Sequence, residues 1–328
     1  MRQAALYRYR IALNPALPAG RTLLHERCGL VVALTDEQDR RGLGEIAPLT
    51  GFNRETLDEA TAAAIKALGH WRAAQPLPAS LPPSVRWGLD SAIANLDAPL
   101  PAALPGGPAL LAGSPSQQLA RWRDWQGPRP AAIKVKIGRQ PPAADQQLLA
   151  ELLATAPVRL RLDANRSWNL ALACHFWQGL SEPVRAAIDW IEEPLENPRQ
   201  LLTLHQQTAA SGSPLPYALD ESLAELPLPR ACPTGLAALI AKPTVLGGEQ
   251  PVAQLAALAS QWQRPLLLSS ALESSLGLRH IARLAARYTP AQPPGLDSWQ
   301  PFAADLFTPL AAGRTALSLD QLNRLWPG

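Results

Sequence analysis

Cysteine is scarce in this chain: Cys28, Cys174 and Cys232 are the whole set. An odd count with no paired short spacing supplies neither a disulfide framework nor a zinc site, and fits a reducing, cytoplasmic setting. Uncharged apolar runs are short as well. None approaches the roughly 18 residues of a membrane-spanning helix, so no membrane partner is expected. The opening MRQAALYRYRIAL has arginines at 2, 8 and 10 breaking each apolar run, and does not read as a secretory signal. Charge is thin and balanced, with 30 Lys and Arg against 27 Asp and Glu and a net charge of +3. Without a basic run or aromatic–basic interleaving, nucleic acid is not an expected partner. A glycine-rich dinucleotide turn is also missing.

What the chain does have is apolar material: 47 % of its 328 residues are hydrophobic, ample for a globular core. Its 34 prolines gather at segment junctions such as Leu81–Pro83, where they punctuate loops. The first part reads as an α+β unit. AALYRYRIAL, CGLVVALTD and RGLGEIAPL are strand-like and suit a small antiparallel meander. The Pro- and Gly-rich stretch at 14–27 reads as a mobile loop. RETLDEATAAAIKALGHWRAA has helical periodicity with Asn53 as N-cap, and PSVRWGLDSAIANLDAPL reads as a second helix.

From about residue 107 strand-like and helical runs alternate, as in βαβ units. Eight strand candidates follow, at 109–113, 132–137, 158–163, 187–192, 216–220, 238–242, 265–270 and 295–298. Lys134 to Asp163 is 29 residues, Asp163 to Glu192 another 29, and Glu192 to Asp220 is 28. Eight such units favour a closed barrel over an open doubly wound sheet. The expected fold is α/β: a (β/α)8-type, modified TIM barrel at 106–298 with an α+β N-terminal capping domain at 1–105. The capping domain is expected to be completed by 299–328, where SLDQLNRLW reads as a short amphipathic helix.

The stretch Ala131–Gly138, AAIKVKIG, puts Ile133, Val135 and Ile137 on one side of a strand and Lys134 and Lys136 on the other. Alone, that is a half-exposed strand with its lysines in water. The segments that follow change the reading, because several end in a charge: VRLRLDAN in Asp163, AIDWIEEP in Glu192 and Glu193, LPYALDES in Asp220 and Glu221, LAALIAKPT in Lys242. A (β/α)8 barrel brings strand carboxyl ends to one rim, where its active site lies. Three converging carboxylates repel one another unless a cation joins them, and oxygen-only ligands suit Mg2+ or Mn2+. Each acid alone could equally cap the helix that follows it. Lysines beside such a site can serve as base and as electrostatic stabiliser for proton abstraction next to a carboxylate.

The strings GEIAPLTGF (44–52), IKVKIG (133–138), RLDANRSW (161–168), IEEP (191–194), LDES (219–222), IAKPT (240–244), SSALESSLGL (269–278) and PGLD (294–297) together resemble the enolase superfamily, muconate-lactonizing subgroup. Within it, SSALESSLGL and the PLTGF loop are similar to the o-succinylbenzoate synthase family of menaquinone biosynthesis. The resemblance covers essentially the whole chain. It implies a Mg2+-dependent hydro-lyase, enolase-like in fold, acting on a small-molecule carboxylate. It implies Lys136 as catalytic base and Lys242 as the lysine that stabilises an enediolate. Asp163, Glu192 and Asp220 match the metal ligands, and Lys134 and Asn165 the supporting residues. Ser269, Ser270, Glu273 and Ser274 match the segment that binds the substrate's carboxylate and succinyl end. The implied reaction is the syn dehydration of 2-succinyl-6-hydroxy-2,4-cyclohexadiene-1-carboxylate.

Two alternatives stand beside it. A racemase or epimerase of N-acylamino acids or dipeptides would use the same metal and both lysines. Dipeptide epimerases, however, usually carry an Asp-x-Asp string after the last lysine strand, where this chain has Ser269-Ser270-Ala271. A non-catalytic binding protein on the same fold is the other, since fold alone does not give function. Oligomeric state is left open by the sequence.

Overall fold

A computed structural model describes residues 1–19 and 22–327. The chain divides into two compact units. One comprises Met1–Pro105, Ala241–Ala256 and Leu268–Gly328, and the other Gly106–Ile240 with Ala257–Leu267.

In the first unit, β1 (Gln3–Ala19), β2 (Thr22–Thr35) and β3 (Arg41–Ile46) form an antiparallel sheet. Leu6, Leu30, Val32, Leu34 and Ile46 bury one face of it against α1 (Leu57–Arg72) and α2 (Pro83–Asp97). Residues of opposite parity serve a second core, where Tyr9, Ile11, Leu13 and Val31 meet Leu276, Phe302, Leu306 and Leu322. Helix α2 lies directly on the backbone of β3. A Cβ on Gly44 would stand 2.0 Å from the carbonyl oxygen of Gly88, so this approach requires glycine.

Three expectations are corrected here. The described residues of 14–27 are not a loop, because β1 runs to Ala19 and β2 starts at Thr22, paired across Leu17–Leu24 and Ala19–Thr22. The prolines fall beyond the stretch of β1 that pairs on its other edge, so they interrupt no ladder there. The N-cap of α1 is Thr56, not Asn53: Thr56 and Glu59 form a reciprocal capping box. Asn53 instead accepts from the N–H of Leu49 and donates to the carbonyl of Thr244. SLDQLNRLW is a 3-10 turn (Leu319–Gln321) followed by a strand, Asn323–Pro327, that pairs antiparallel with β1. Backbone pairing overrides its weak helical periodicity.

The second unit is framed by a parallel sheet of seven strands: β4 (Ala109–Leu111), β5 (Ala132–Lys136), β6 (Arg159–Asp163), β7 (Ile188–Glu192), β8 (Tyr217–Leu219), β9 (Leu236–Ala241) and β10 (Leu266–Leu268). They are neighbours in chain order. Helices α3 (Pro115–Arg123), α4 (Pro142–Thr155), α5 (Leu170–Gly179) and α6 (Leu201–Ala210) follow β4 to β7. After β8 comes only the four-residue helix Ser222–Glu225 before a proline-rich link. The eighth strand candidate, 295–298, is not a strand; Gly295 makes a single parallel bridge with Ser269. Among the described residues no helix is long and apolar enough to cross a membrane.

Candidate active site

Register builds the site. Lys136 on β5 pairs with Asp163 on β6, and Asp163 with Glu192 on β7, so three adjacent strands end in one layer of charged residues. Asp220 follows β8 directly. The three acids are buried, and each offers a carboxylate oxygen within 4.8 Å of the others'. Three oxygen donors at this spacing, with no sulfur or imidazole in the set, fit a hard divalent cation of the Mg2+ type.

The lysines touch these acids directly. Lys136 Nζ donates to Asp163 Oδ2 at 2.6 Å and to Asn165 Oδ1 at 2.7 Å. Lys134 Nζ reaches the same Asp163 oxygen at 2.7 Å and also pairs with Glu192. Burial works against the Lys134 ammonium, yet the charges of Asp163, Glu192 and Asp220 hold its pKa well above the usual lysine value. Burial likewise opposes the Asp163 carboxylate, and Lys134 and Lys136 outweigh it, keeping the group far below the usual carboxylate range. Trp190 Nε1 donates to the free side of Glu192 at 3.2 Å and so fixes its plane.

Two turns support the layer. Gly138, at φ +81°, closes the loop after β5. A Cβ there would lie 1.9 Å from Ser167 Oγ, so glycine alone lets the lysine strand pack on the Asp163–Ser167 turn. Asn165 and Arg166 both have left-handed backbone, at φ +45° and +58°. Sequence reasoning missed what holds the Asp220 turn. Glu193, fully buried, accepts from the backbone N–H groups of Asp220 and Ser222, from Ser222 Oγ and from Arg166 Nε. The second glutamate of IEEP was visible in the sequence, but nothing in its spacing distinguished a ligand from a support.

The remaining expected residues belong to the first unit. Lys242 is buried, its Nζ 5.1 Å from the centre of the Phe52 ring, a cation–π contact. Ser269 Oγ donates to the Gly295 carbonyl, and the Ser270 and Ser298 hydroxyls are 2.6 Å apart. Glu273 is fully buried, accepting from Thr244 Oγ1 and at 2.6 Å from the N–H of Ala271. Burial raises its pKa above the usual glutamate value. Ser274 is the N-cap of the helix Ser275–Tyr288, and its hydroxyl donates to Glu45 Oε2 at 2.8 Å. Arg27 was also missed: its guanidinium donates to the carbonyls of Ala47, Pro48 and Leu272, tying the PLTGF segment to the ALESS segment.

Residues 1–96 match the family description "MenC, N-terminal domain", and residues 116–316 match "Enolase C-terminal domain-like". An o-succinylbenzoate synthase of Edwardsiella ictaluri is 37 % identical over 331 residues, covering 100 % of both chains. That of Pectobacterium atrosepticum is 37 % identical over 300 residues, 91 % of this chain and 90 % of its own. Among solved structures, o-succinylbenzoate synthase of Thermosynechococcus elongatus, complexed with Mg in its active site, superposes with a TM-score of 0.72 at 26 % identity. The match covers 94 % of this chain and 96 % of that one. The fold class is therefore α/β of the enolase type, a curled parallel sheet with interleaved helices plus an N-terminal α+β part. With full-length identity to these synthases and both family descriptions matched in order, this chain belongs to the o-succinylbenzoate synthase family of the enolase superfamily.

Proposed function

We infer that the chain catalyses the Mg2+-dependent dehydration of 2-succinyl-6-hydroxy-2,4-cyclohexadiene-1-carboxylate to o-succinylbenzoate and water, a hydro-lyase step of menaquinone biosynthesis. The observation that carries the reading is the convergence of Asp163, Glu192 and Asp220 beside the amine of Lys136. Those three acids are the residues that would hold Mg2+. When bound, the ion supplies fixed positive charge against a substrate carboxylate.

In this reading Lys136 removes the proton α to the carboxylate. Its nitrogen then carries that proton as an ammonium and delivers it to the departing hydroxyl. Water leaves, the amine is regenerated, and one group acting on one face makes the elimination syn. Lys134 holds the oxygens of Asp163 and Glu192 and keeps positive charge beside them. Asn165 holds Lys136. Lys242 stabilises the enediolate that develops when the proton is lost. Ser269 and Ser270 receive the substrate's carboxylate and succinyl end. Glu273 and Ser274, expected beside them as substrate-binding residues, are instead assigned to holding that segment in shape, because their polar atoms are engaged by Thr244, Ala271, Glu45 and Leu276. Residues 1–105 with 299–328 serve as the capping domain, and 106–298 carry the chemistry.

The test is the loss of cyclohexadiene absorbance on adding the protein with Mg2+, repeated with excess chelator. Chelator-sensitive loss with o-succinylbenzoate as product is the expected result. A folded protein that binds Mg2+ and leaves the diene unchanged overturns the reading.

A further inference from the structure

A lysine that takes and returns a proton must aim its nitrogen, and its four-carbon stem does not do so unaided. In this protein Asp163 Oδ2 and Asn165 Oδ1 hold Lys136 Nζ. The second contact depends on which way the Asn165 amide faces. Its two ends are nearly equal in shape, but only the oxygen accepts from an ammonium. The backbone fixes where Asn165 stands, through its left-handed φ and its N–H bond to Asp163 Oδ1 at 3.1 Å. It does not fix the amide.

The other end of the amide does. Asn165 Nδ2 donates to Glu221 Oε1 at 3.3 Å. Turned over, the amide would set its oxygen against a carboxylate and its NH2 against the lysine nitrogen, repelling the ammonium and, in the free amine, tying up the lone pair that takes the proton. Glu221 follows Asp220 on the turn that Glu193 pins through the N–H groups of Asp220 and Ser222, so its backbone is held on both sides. Its second oxygen, Oε2, is buried without a hydrogen-bond partner. A buried acceptor left unpaired costs stability, so folding alone does not account for a carboxylate here.

We propose that Glu221 is a positioning residue for the dehydration: by fixing the Asn165 amide it aims the Lys136 amine at the substrate. The proposal rests on Lys136 being the base. It predicts an energetic chain, Glu221 to Asn165 to Lys136, that a residue acting through the metal or through general stability would not produce.

The experiment is a double-mutant cycle in the full-length protein with saturating Mg2+, reading kcat, KM, Mg2+ affinity by calorimetry and the thermal midpoint. Glu221→Leu is expected to lower kcat at least about tenfold while KM, Mg2+ affinity and the midpoint stay near the parent's. Glu221→Gln, which keeps an acceptor, is expected to recover most of the loss. In an Asn165→Ala background Glu221→Leu is expected to cost nothing further. If the Leu variant does not fold, Glu221→Asp, one methylene short of Asn165, takes its place in the cycle. A Glu221 variant with parental kcat overturns the proposal, as does a loss undiminished in the Asn165→Ala background. A loss that tracks weakened Mg2+ binding overturns it too, because Glu221 would then act through Asp220. Lys136→Ala in the same assay separates the two readings. Retained turnover there sinks the base itself, whereas a dead Lys136→Ala beside a parental Glu221→Leu sinks the positioning role alone.

Discussion

The carboxylate of Glu193 accepts the backbone N–H of Asp220 at 2.8 Å, and so one buried acid orients another. The same carboxylate takes three further donors, from Ser222 and Arg166. A glutamine at 193 would present NH2 to at least one of those donors. We expect Glu193→Gln to weaken Mg2+ binding about tenfold or more, as lost outer support for a ligand does, and to lower stability by about 1–3 kcal/mol. Calorimetric titration and thermal melting measure the two effects. Parental Mg2+ affinity would remove Glu193 from the support of Asp220.

The lysines and the acids should separate cleanly in their effects. Lys136→Ala should cut turnover by roughly two to four orders of magnitude, the usual worth of a positioned base, with Mg2+ still bound. Lys242→Ala should also cut turnover severely with little change in melting midpoint, because burying an ammonium is costly to begin with. Asp220→Asn should instead raise the Mg2+ concentration needed for half-maximal rate. Near-normal turnover in Lys136→Ala, or an unchanged Mg2+ dependence in Asp220→Asn, would contradict the assigned role.

Why these residues were legible and others were not has a physical basis. Lys136, Asp163, Glu192 and Asp220 each place a charge at or just past the end of a largely apolar strand, and Lys134 places one in mid-strand, where burial is expensive without a reason. The parallel register then puts Lys136, Asp163 and Glu192 in one layer, as regular spacing suggested. The supports show no such local conflict. Glu193, Arg166, Glu221 and Arg27 acquire their roles from partners 20 or more residues away, and no local pattern encodes those contacts. The same holds for the fold. Asn53 looks like a cap until Thr56 and Glu59 pair, and the C-terminal segment looks helical until β1 offers it a sheet edge. Prolines at 15 and 18 suggested a loop, yet β1 runs on to Ala19, its pairing with β2 resuming beyond the shift between Ala12 and Leu17.

Acidity offers a separate test, at Asp145 in the first turn of α4. Its side chain accepts the N–H of Gly138 at 2.7 Å, helping to hold the turn after the lysine strand. Burial pushes its pKa up from 3.8 to about 6, against the opposing pull of that hydrogen bond. Folded protein therefore holds the proton more tightly than unfolded chain. The stabilisation this brings is full below 3.8 and is lost as pH rises through about 6. Asp145→Asn keeps an acceptor for Gly138 without a charge to desolvate. It should exceed the parent in stability above pH 6 by on the order of 2 kcal/mol, with the gap closing toward pH 4. Asp90, also raised to about 6 by burial, acts in the same direction, and His280, lowered to about 3 by burial, opposes both. For that reason the quantity to measure is the difference between variant and parent in denaturant midpoints across pH. A difference that does not vary with pH would refute the assignment.

Glu45 decides how Ser274 should be understood. From β3 its carboxylate accepts Tyr9 OH, Ser274 N at 3.0 Å, Ser274 Oγ at 2.8 Å and Gly277 N at 2.8 Å. It therefore sits on the N-terminus of the helix Ser275–Tyr288, where unpaired N–H groups and the helix dipole favour negative charge. Removing it leaves several buried donors without an acceptor. Glu45→Ala should cost about 3–5 kcal/mol, and Glu45→Gln distinctly less. Ser274→Ala loses a cap whose hydroxyl also accepts the N–H of Leu276, and should cost about 1 kcal/mol. Because the Ser274 hydroxyl is engaged within the protein on both counts, KM for the cyclohexadiene substrate should stay near the parent's. A Ser274→Ala variant of parental stability and sharply raised KM would show that the hydroxyl serves the substrate and not the helix.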